Sequence, residues 1–202
     1  MPRSDAGNPA RLVAHDPSWS LIAQEELAAV AQALEDVEGG SEAVLDHIGS
    51  TSVPGLAAKP FVDLQVRIFP LPAEGALDAA FARIGYRRAH GSRPDSPGVY
   101  RDLPRGSEVV ADEVWEKRLF VGRDGTTILH VRRMDSPWGR YAVWFRDWLR
   151  AHPDQRDRYE QVKRGLSAEN RGKADYDDYT RGKTAFFDEV QAAFEAWGRA
   201  RP

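Results

Sequence analysis

His47-Ile48-Gly49-Ser50-Thr51-Ser52-Val53-Pro54-Gly55-Leu56-Ala57-Ala58-Lys59-Pro60-Phe61-Val62-Asp63-Leu64-Gln65-Val66 is the stretch whose reading decides the fold. Residues 43–48 are a short apolar run that reads as a strand, and Gly49-Ser50-Thr51-Ser52 follows as a loop of small hydroxyl residues. Val53-Pro54-Gly55 is a turn, because proline presets φ and glycine takes the conformations other residues avoid. Residues 61–68 then alternate: Val62, Leu64, Val66 and Ile68 share one face, and Phe61, Asp63, Gln65 and Arg67 share the other. A period of two marks a strand with one face against a core.

On the N-terminal side, residues 1–12 are polar, without period, and read as a lead-in. Asp16-Pro17 starts an amphipathic helix carrying Trp19, Ala23, Leu27, Val30, Leu34 and Val37, and Gly39-Gly40 closes it. On the C-terminal side, Leu77, Phe81 and Ile84 mark a second helix. Residues 86–113 are broken by glycine and proline and suggest a lid or an extra hairpin. Asp124-Gly125 is a hairpin turn between a strand ending near Val121 and a return strand. On that return strand Thr127, Leu129 and Val131 face one side, and Ile128, His130 and Arg132 face the other. Beyond Ser136-Pro137 the pattern is helical, with a break at His152-Pro153 and a polar loop over residues 167–175. Strands first and helices after predict an α+β fold with a C-terminal helical part.

Composition narrows the chemistry. The chain of 202 residues has no cysteine, which excludes disulfides, thiolate metal sites and cysteine nucleophiles. A net charge of -3 gives no global field for duplex nucleic acid, so no strong nucleic-acid signal is present. No run approaches a membrane span and no signal core opens the chain, so a cytoplasmic protein without membrane association is expected. Only Lys59, Lys117, Lys163, Lys173 and Lys183 among 28 basic residues are lysine. Where arginine serves for ordinary surface charge, a lysine suggests a role for a compact ammonium that is able to lose its proton.

The hydroxyl loop followed by Asp63 on the next strand resembles nucleotidyltransferase-fold enzymes, in which such a loop holds a nucleoside triphosphate and acids at i and i+2 hold magnesium. Here the second position is Gln65, a neutral donor. The stretch from His47 to Asp63 resembles the signature of the GrpB-like family, and also the domain fused after dephospho-CoA kinase in some bacteria. The similarity extends to Trp115-Glu116-Lys117-Arg118, to His130-Val131, to Phe145-Arg146-Asp147 running into His152-Pro153, and to Tyr159, Lys163, Tyr179 and Lys183. It covers residues 13–198 and implies a single nucleotidyltransferase-like domain: a mixed sheet flanked by helices over 13–134 and C-terminal helices over 135–198.

The expected function is an enzyme that binds a nucleoside triphosphate or another phosphorylated small molecule and carries out nucleotidyl or related group transfer. Asp63, His130 and Lys117 are the candidate catalytic residues, and Gly49, Ser50, Thr51, Ser52, Lys59, Arg118, Arg146 and Lys183 the candidate phosphate-binding set. Asp63, with Gln65 or His130, is the candidate site for Mg2+ or Mn2+. His47 reads as a brace for the loop, and His15, His90 and His152 as structural or exposed. Two alternatives stand beside this: a non-catalytic phosphate-binding module with a degenerate metal site, and a metal-independent ligase or transferase.

Overall fold

The computed structural model describes residues 8–201; the first seven residues of the expected lead-in lie outside them. Five strands, β1 (Val44–Ile48), β2 (Val62–Ile68), β3 (Arg87–Arg88), β4 (Lys117–Val121) and β5 (Thr127–Arg133), form one sheet in the order β1-β2-β5-β4-β3. β2 and β5 run parallel in the centre and the other pairings are antiparallel, so the sheet is mixed. Five α-helices accompany it: α1 (Ser18–Ala33), α2 (Glu74–Ala82), α3 (Pro137–Ala151), α4 (Pro153–Glu169) and α5 (Asp177–Arg199). The class is α+β, with the nucleotidyltransferase-like mixed sheet and C-terminal helices that the sequence leads one to expect. No helix of the described residues is long and apolar enough to cross a membrane.

The period-two alternation sorts the side chains into two layers. Val62, Leu64, Val66, Ile68, Leu129, Val131 and Phe120 bury one sheet face against Trp19, Val30 and Leu34 of the first helical segment and Leu77 and Phe81 of α2. The other face carries the polar groups, Asp63, Gln65 and Arg67 on β2, His130 and Arg132 on β5 and Lys117 on β4, interspersed with Ile48, Leu119, Val121 and Ile128. A second core of Val53, Leu56, Tyr141, Trp148, Leu149, Phe186, Val190 and Phe194 holds α3, α4 and α5 together above that face. The α3–α4 junction at His152-Pro153 breaks where the sequence places it.

Three local expectations are corrected. The lead-in is built into the molecule from residue 8 onward: Ala10 is fully buried, Ser167 Oγ donates to its carbonyl at 2.8 Å, and Val13 exchanges backbone hydrogen bonds with Ala58. α1 ends at Ala33, short of the Gly39-Gly40 pair. Gly39 is there for a close approach, since a Cβ on it would stand 2.3 Å from the Phe69 carbonyl oxygen. Residues 86–113 contribute the two-residue strand β3 and one isolated bridge between Arg101 and Glu116, and otherwise run as an irregular segment along the polar face.

Candidate functional site

A cavity of about 540 Å³ lies between the polar sheet face, the irregular segment and α3–α5. Gly49, Ser50, Lys59, Asp63, Lys117, His130 and Lys183 all line it. The parallel register makes this meeting possible: Asp63 stands opposite Ile128 and Gln65 opposite His130, so the acid and the imidazole share a face one step apart. His130 Nε2 lies 3.6 Å from Asp63 Oδ1.

Behind that pair runs a buried polar network. Lys117 Nζ is 3.1 Å from His130 Nδ1 and 3.2 Å from Asp102 Oδ1. Arg132 Nε donates to Asp102 Oδ2 at 2.6 Å and Arg132 Nη1 to Gln65 Oε1 at 2.8 Å. Lysine and arginine offer only donors, so His130 Nδ1 accepts and the ring proton sits on Nε2, toward Asp63. Burial, with Lys117 beside it, pushes the His130 pKa down to about 4, so the ring is neutral at physiological pH. Burial alone would raise Asp63, but the facing His130 N–H and the charges of Lys183 and Lys59 outweigh it and hold the carboxyl below its ordinary value. Likewise, burial of Asp102 is outweighed by Arg132 and Lys117, which keep it ionised well below the usual range. Burial lowers Lys117 to about 8, opposed by Asp102.

Gly49 lets the loop lie against the acid. Its φ is 71°, and a Cβ there would stand 2.4 Å from Asp63 Oδ2. The following 3-10 turn, Ser50–Ser52, presents its hydroxyls unequally. Ser50 borders the cavity and is held from behind by Lys163, whose Nζ donates to Ser50 Oγ at 3.1 Å and to the Ala57 carbonyl. Thr51 and Ser52 turn inward, which corrects their expected place among phosphate ligands. Thr51 Oγ1 meets His47 Nε2 at 3.1 Å, and Ser52 Oγ donates to the Gly49 carbonyl at 2.6 Å. His47 sits on the opposite sheet face from Asp63, where burial lowers its pKa to about 4.

The basic residues divide in the same way. Lys59 lies 3.2 Å from the centre of the Tyr176 ring, and Lys183 lies 5.1 Å from that of Tyr179. Neither has a hydrogen bond or an ion pair among the described residues; burial, with Lys183 nearby, brings Lys59 down to about 7. Burial also lowers Lys183, against the pull of Asp63. Arg146 borders the cavity, but its guanidinium is engaged by the His47 carbonyl at 2.8 Å and by Asp147. Arg118 is not in the site, a correction that follows from strand alternation: one residue past Lys117, it points to the other face and pairs with Glu74 at 3.4 Å. Four of the five lysines therefore gather at this site, and Lys173 alone pairs elsewhere, with Asp178.

Magnesium or manganese does not fit these residues. Gln65 is fully buried, with its oxygen bonded to Arg132 and its nitrogen donating to the Gly139 carbonyl at 3.0 Å, so it faces no ligand. With Asp102 held by Arg132 and Lys117 and Asp177 by Ser96, that leaves the Asp63 carboxylate and the His130 imidazole among ammonium groups, where these hard cations take an octahedron of oxygens. No group of three or more His, Asp or Glu able to hold a metal occurs among the described residues.

Sequence reasoning missed Lys163, Asp102, Arg132 and Tyr176. The scarcity of lysine pointed toward Lys163. Asp102 had no signal, because it lies in a segment without period.

A profile for the GrpB protein family matches residues 9–193. Dephospho-CoA kinase of Mycolicibacterium paratuberculosis is 33% identical over 205 residues, covering 96% of this chain and 48% of that protein. A UPF0157 protein of Halalkalibacterium halodurans is 30% identical over 156 residues, covering 77% of this chain and 68% of the relative. The crystal structure of the conserved protein GrpB from Enterococcus faecalis is similar at a TM-score of 0.68 and 26% identity, over 93% of this chain and 99% of that one. The chain spans about half the length of the dephospho-CoA kinases it matches.

Proposed function

The chain belongs to the GrpB protein family, and from that premise we propose that its cleft binds a nucleotide or another phosphorylated small molecule and carries out nucleotidyl or related group transfer without a divalent metal. The observation that carries this reading is the pair of ammonium groups, Lys59 and Lys183, that face aromatic rings with no hydrogen bond or ion pair among the described residues, beside the Asp63 carboxylate. Desolvated cations that outnumber the free carboxylate beside them and make no hydrogen bond favour a polyanion, which restores their charge and supplies the missing acceptors. The name of the dephospho-CoA kinase relatives agrees with a nucleotide-type ligand.

In this reading Ser50 and the two lysines hold the phosphates. An acceptor hydroxyl or amine gives its proton to the Asp63 carboxylate as it attacks phosphorus. The bond to the leaving phosphate breaks, and Lys59 and Lys183 stabilise the negative charge that collects there. His130, donating from Nε2, keeps Asp63 oriented. Lys117 and the buried Asp102–Arg132 pair keep His130 in that tautomer.

Titration calorimetry of the full chain with ATP and with pyrophosphate, each with EDTA or with magnesium, tests the reading. Both ligands are expected to bind in EDTA. Lys183→Gln is expected to weaken them at least about tenfold, the worth of one charge-assisted hydrogen bond. Asp63→Asn is expected to keep binding and lose turnover. Absence of binding in EDTA, or affinity indifferent to Lys183, overturns it. Binding with no turnover in any variant leaves a phosphate-binding module instead.

A further inference from the structure

One group in the cleft has no part in the scheme above. Arg105 comes from the irregular segment and lines the same cavity, and its side chain is only 9% exposed. Its guanidinium carbon lies 4.7 Å from the ring centres of both Trp138 and Phe187, which stack on one another at 5.1 Å. The Trp138 indole donates to the Leu103 carbonyl at 2.7 Å and so fixes the backbone two residues before the arginine. Arg105 is therefore held rigidly on an aromatic platform at a cleft wall.

Its hydrogen-bonding capacity is left open. Nε and Nη1 have no hydrogen-bond partner among the described residues. The one partner in reach is Asp188, whose Oδ1 lies 2.8 Å from Nη1 as an ion pair without a hydrogen bond. That carboxylate is 56% exposed and well solvated. Asp102 is the other charged group near Arg105, and it already answers to Arg132 and Lys117, while the buried Tyr141 phenol stays neutral. A buried guanidinium with open N–H groups costs free energy unless a planar oxyanion completes it.

The helix α5 sets the spacing. Tyr179, Lys183 and Phe187 follow each other at four-residue steps along its cleft side, so the Phe187 platform lies about 6 Å beyond Lys183. The two-lysine end suits a polyanion. The Arg105 end offers one guanidinium on an apolar floor, its charge shared only with the solvated Asp188 carboxylate and its open N–H groups suited to a planar monoanion rather than a phosphate dianion.

We propose that Arg105 anchors the second substrate, the group acceptor, and that this acceptor is a small molecule with a carboxylate head, an apolar body against Trp138 and Phe187, and its nucleophile directed at Asp63. The word acceptor rests on the transfer reading given above; the carboxylate site itself does not.

Calorimetry on the full chain with straight-chain monocarboxylates from acetate to hexanoate, with their primary amides, and with pyrophosphate, separates the two. At least one carboxylate is expected to bind while its amide does not. Arg105→Gln is expected to weaken that carboxylate at least about tenfold and to leave pyrophosphate unchanged. Lys183→Gln is expected to do the reverse. Asp188→Asn, a change at an exposed position, frees the guanidinium and is expected to tighten the carboxylate about two- to fivefold, which a purely structural arginine would not do. No carboxylate binding, equal binding of acid and amide, or indifference to Arg105 and Asp188 overturns the site. Carboxylate binding without pyrophosphate binding upholds the Arg105 site and sinks the phosphate reading alone.

Discussion

At Gly49 the backbone turns with φ 71° and passes so close to the catalytic candidate that a Cβ would stand 2.4 Å from Asp63 Oδ2. Left-handed backbone and lack of space act together here. Gly49→Ala is expected to lower stability by about 1–3 kcal/mol and to weaken pyrophosphate binding in the protein that still folds, as read by urea denaturation and calorimetry. Retained affinity would show that the loop and Asp63 are not coupled. At this scale the sequence is informative where the chemistry is local. Gly49, Ser50, Lys59 and Asp63 come from one stretch, and the alternation of β2 and β5 aims Asp63 and His130 to one side. It is silent where a side chain's partner is remote. Gln65 reads as a weak metal donor until Arg132, two strand positions past His130, is seen to bond its oxygen. Thr51 and Ser52 read as phosphate ligands because a three-residue turn gives no sign of which hydroxyl closes it internally.

Among the elements, the irregular segment over residues 89–111 stands apart. It walls one side of the cleft yet has few apolar anchors of its own, and it is fastened to the start of α5 by polar contacts. Arg93 donates to both oxygens of Asp175 at 2.8 Å, Ser96 Oγ donates to Asp177 Oδ2 at 2.6 Å, and Arg181 reaches Asp95. Arg93 is 37% exposed, so solvent screens its pairs and Arg93→Ala should leave the urea midpoint almost unchanged. Hydrogen exchange over 91–97 should nonetheless rise clearly, because the fork ties that end of the segment to the start of α5, while the buried Asp102–Arg132 pair and the Trp138–Leu103 bond hold the rest. Unchanged exchange over 91–97 would show that the Ser96–Asp177 and Arg181–Asp95 contacts hold that end without Arg93. The helices and the hairpin are legible because 3.6 and 2 are strong periods. This segment has neither, so Asp102 and Arg105 become visible only through the residues they meet.

For the molecule as a whole, the buried cations shift together. Burial lowers His47 and His130 to about 4, Lys59 and Lys163 to about 7, and Lys117 to about 8. Between each lowered value and the ordinary one, 6.5 for histidine and 10.5 for lysine, the unfolded chain binds more protons than the folded one. Stability therefore rises with pH across both windows, from about 4 to 6.5 and from about 7 to 10.5. The urea midpoint of the ligand-free protein is expected to be higher at pH 9 than at pH 7, and a fall over that interval would contradict the burial of these amines. The two-layer arrangement follows from patterning, whereas the gathering of the lysines does not, since nothing local in the chain says that Lys59, Lys117, Lys163 and Lys183 will meet. That gathering has a practical side. An acylating reagent that reacts with uncharged amines and ignores guanidinium finds, Lys173 and the chain terminus aside, only Lys59, Lys117 and Lys183 in the cleft and the buried Lys163 behind it. The arginine-rich remainder of the exterior is inert to it, so a protein with Lys173 replaced by arginine opens its cleft to tagging or blockade by ordinary amine chemistry near neutral pH.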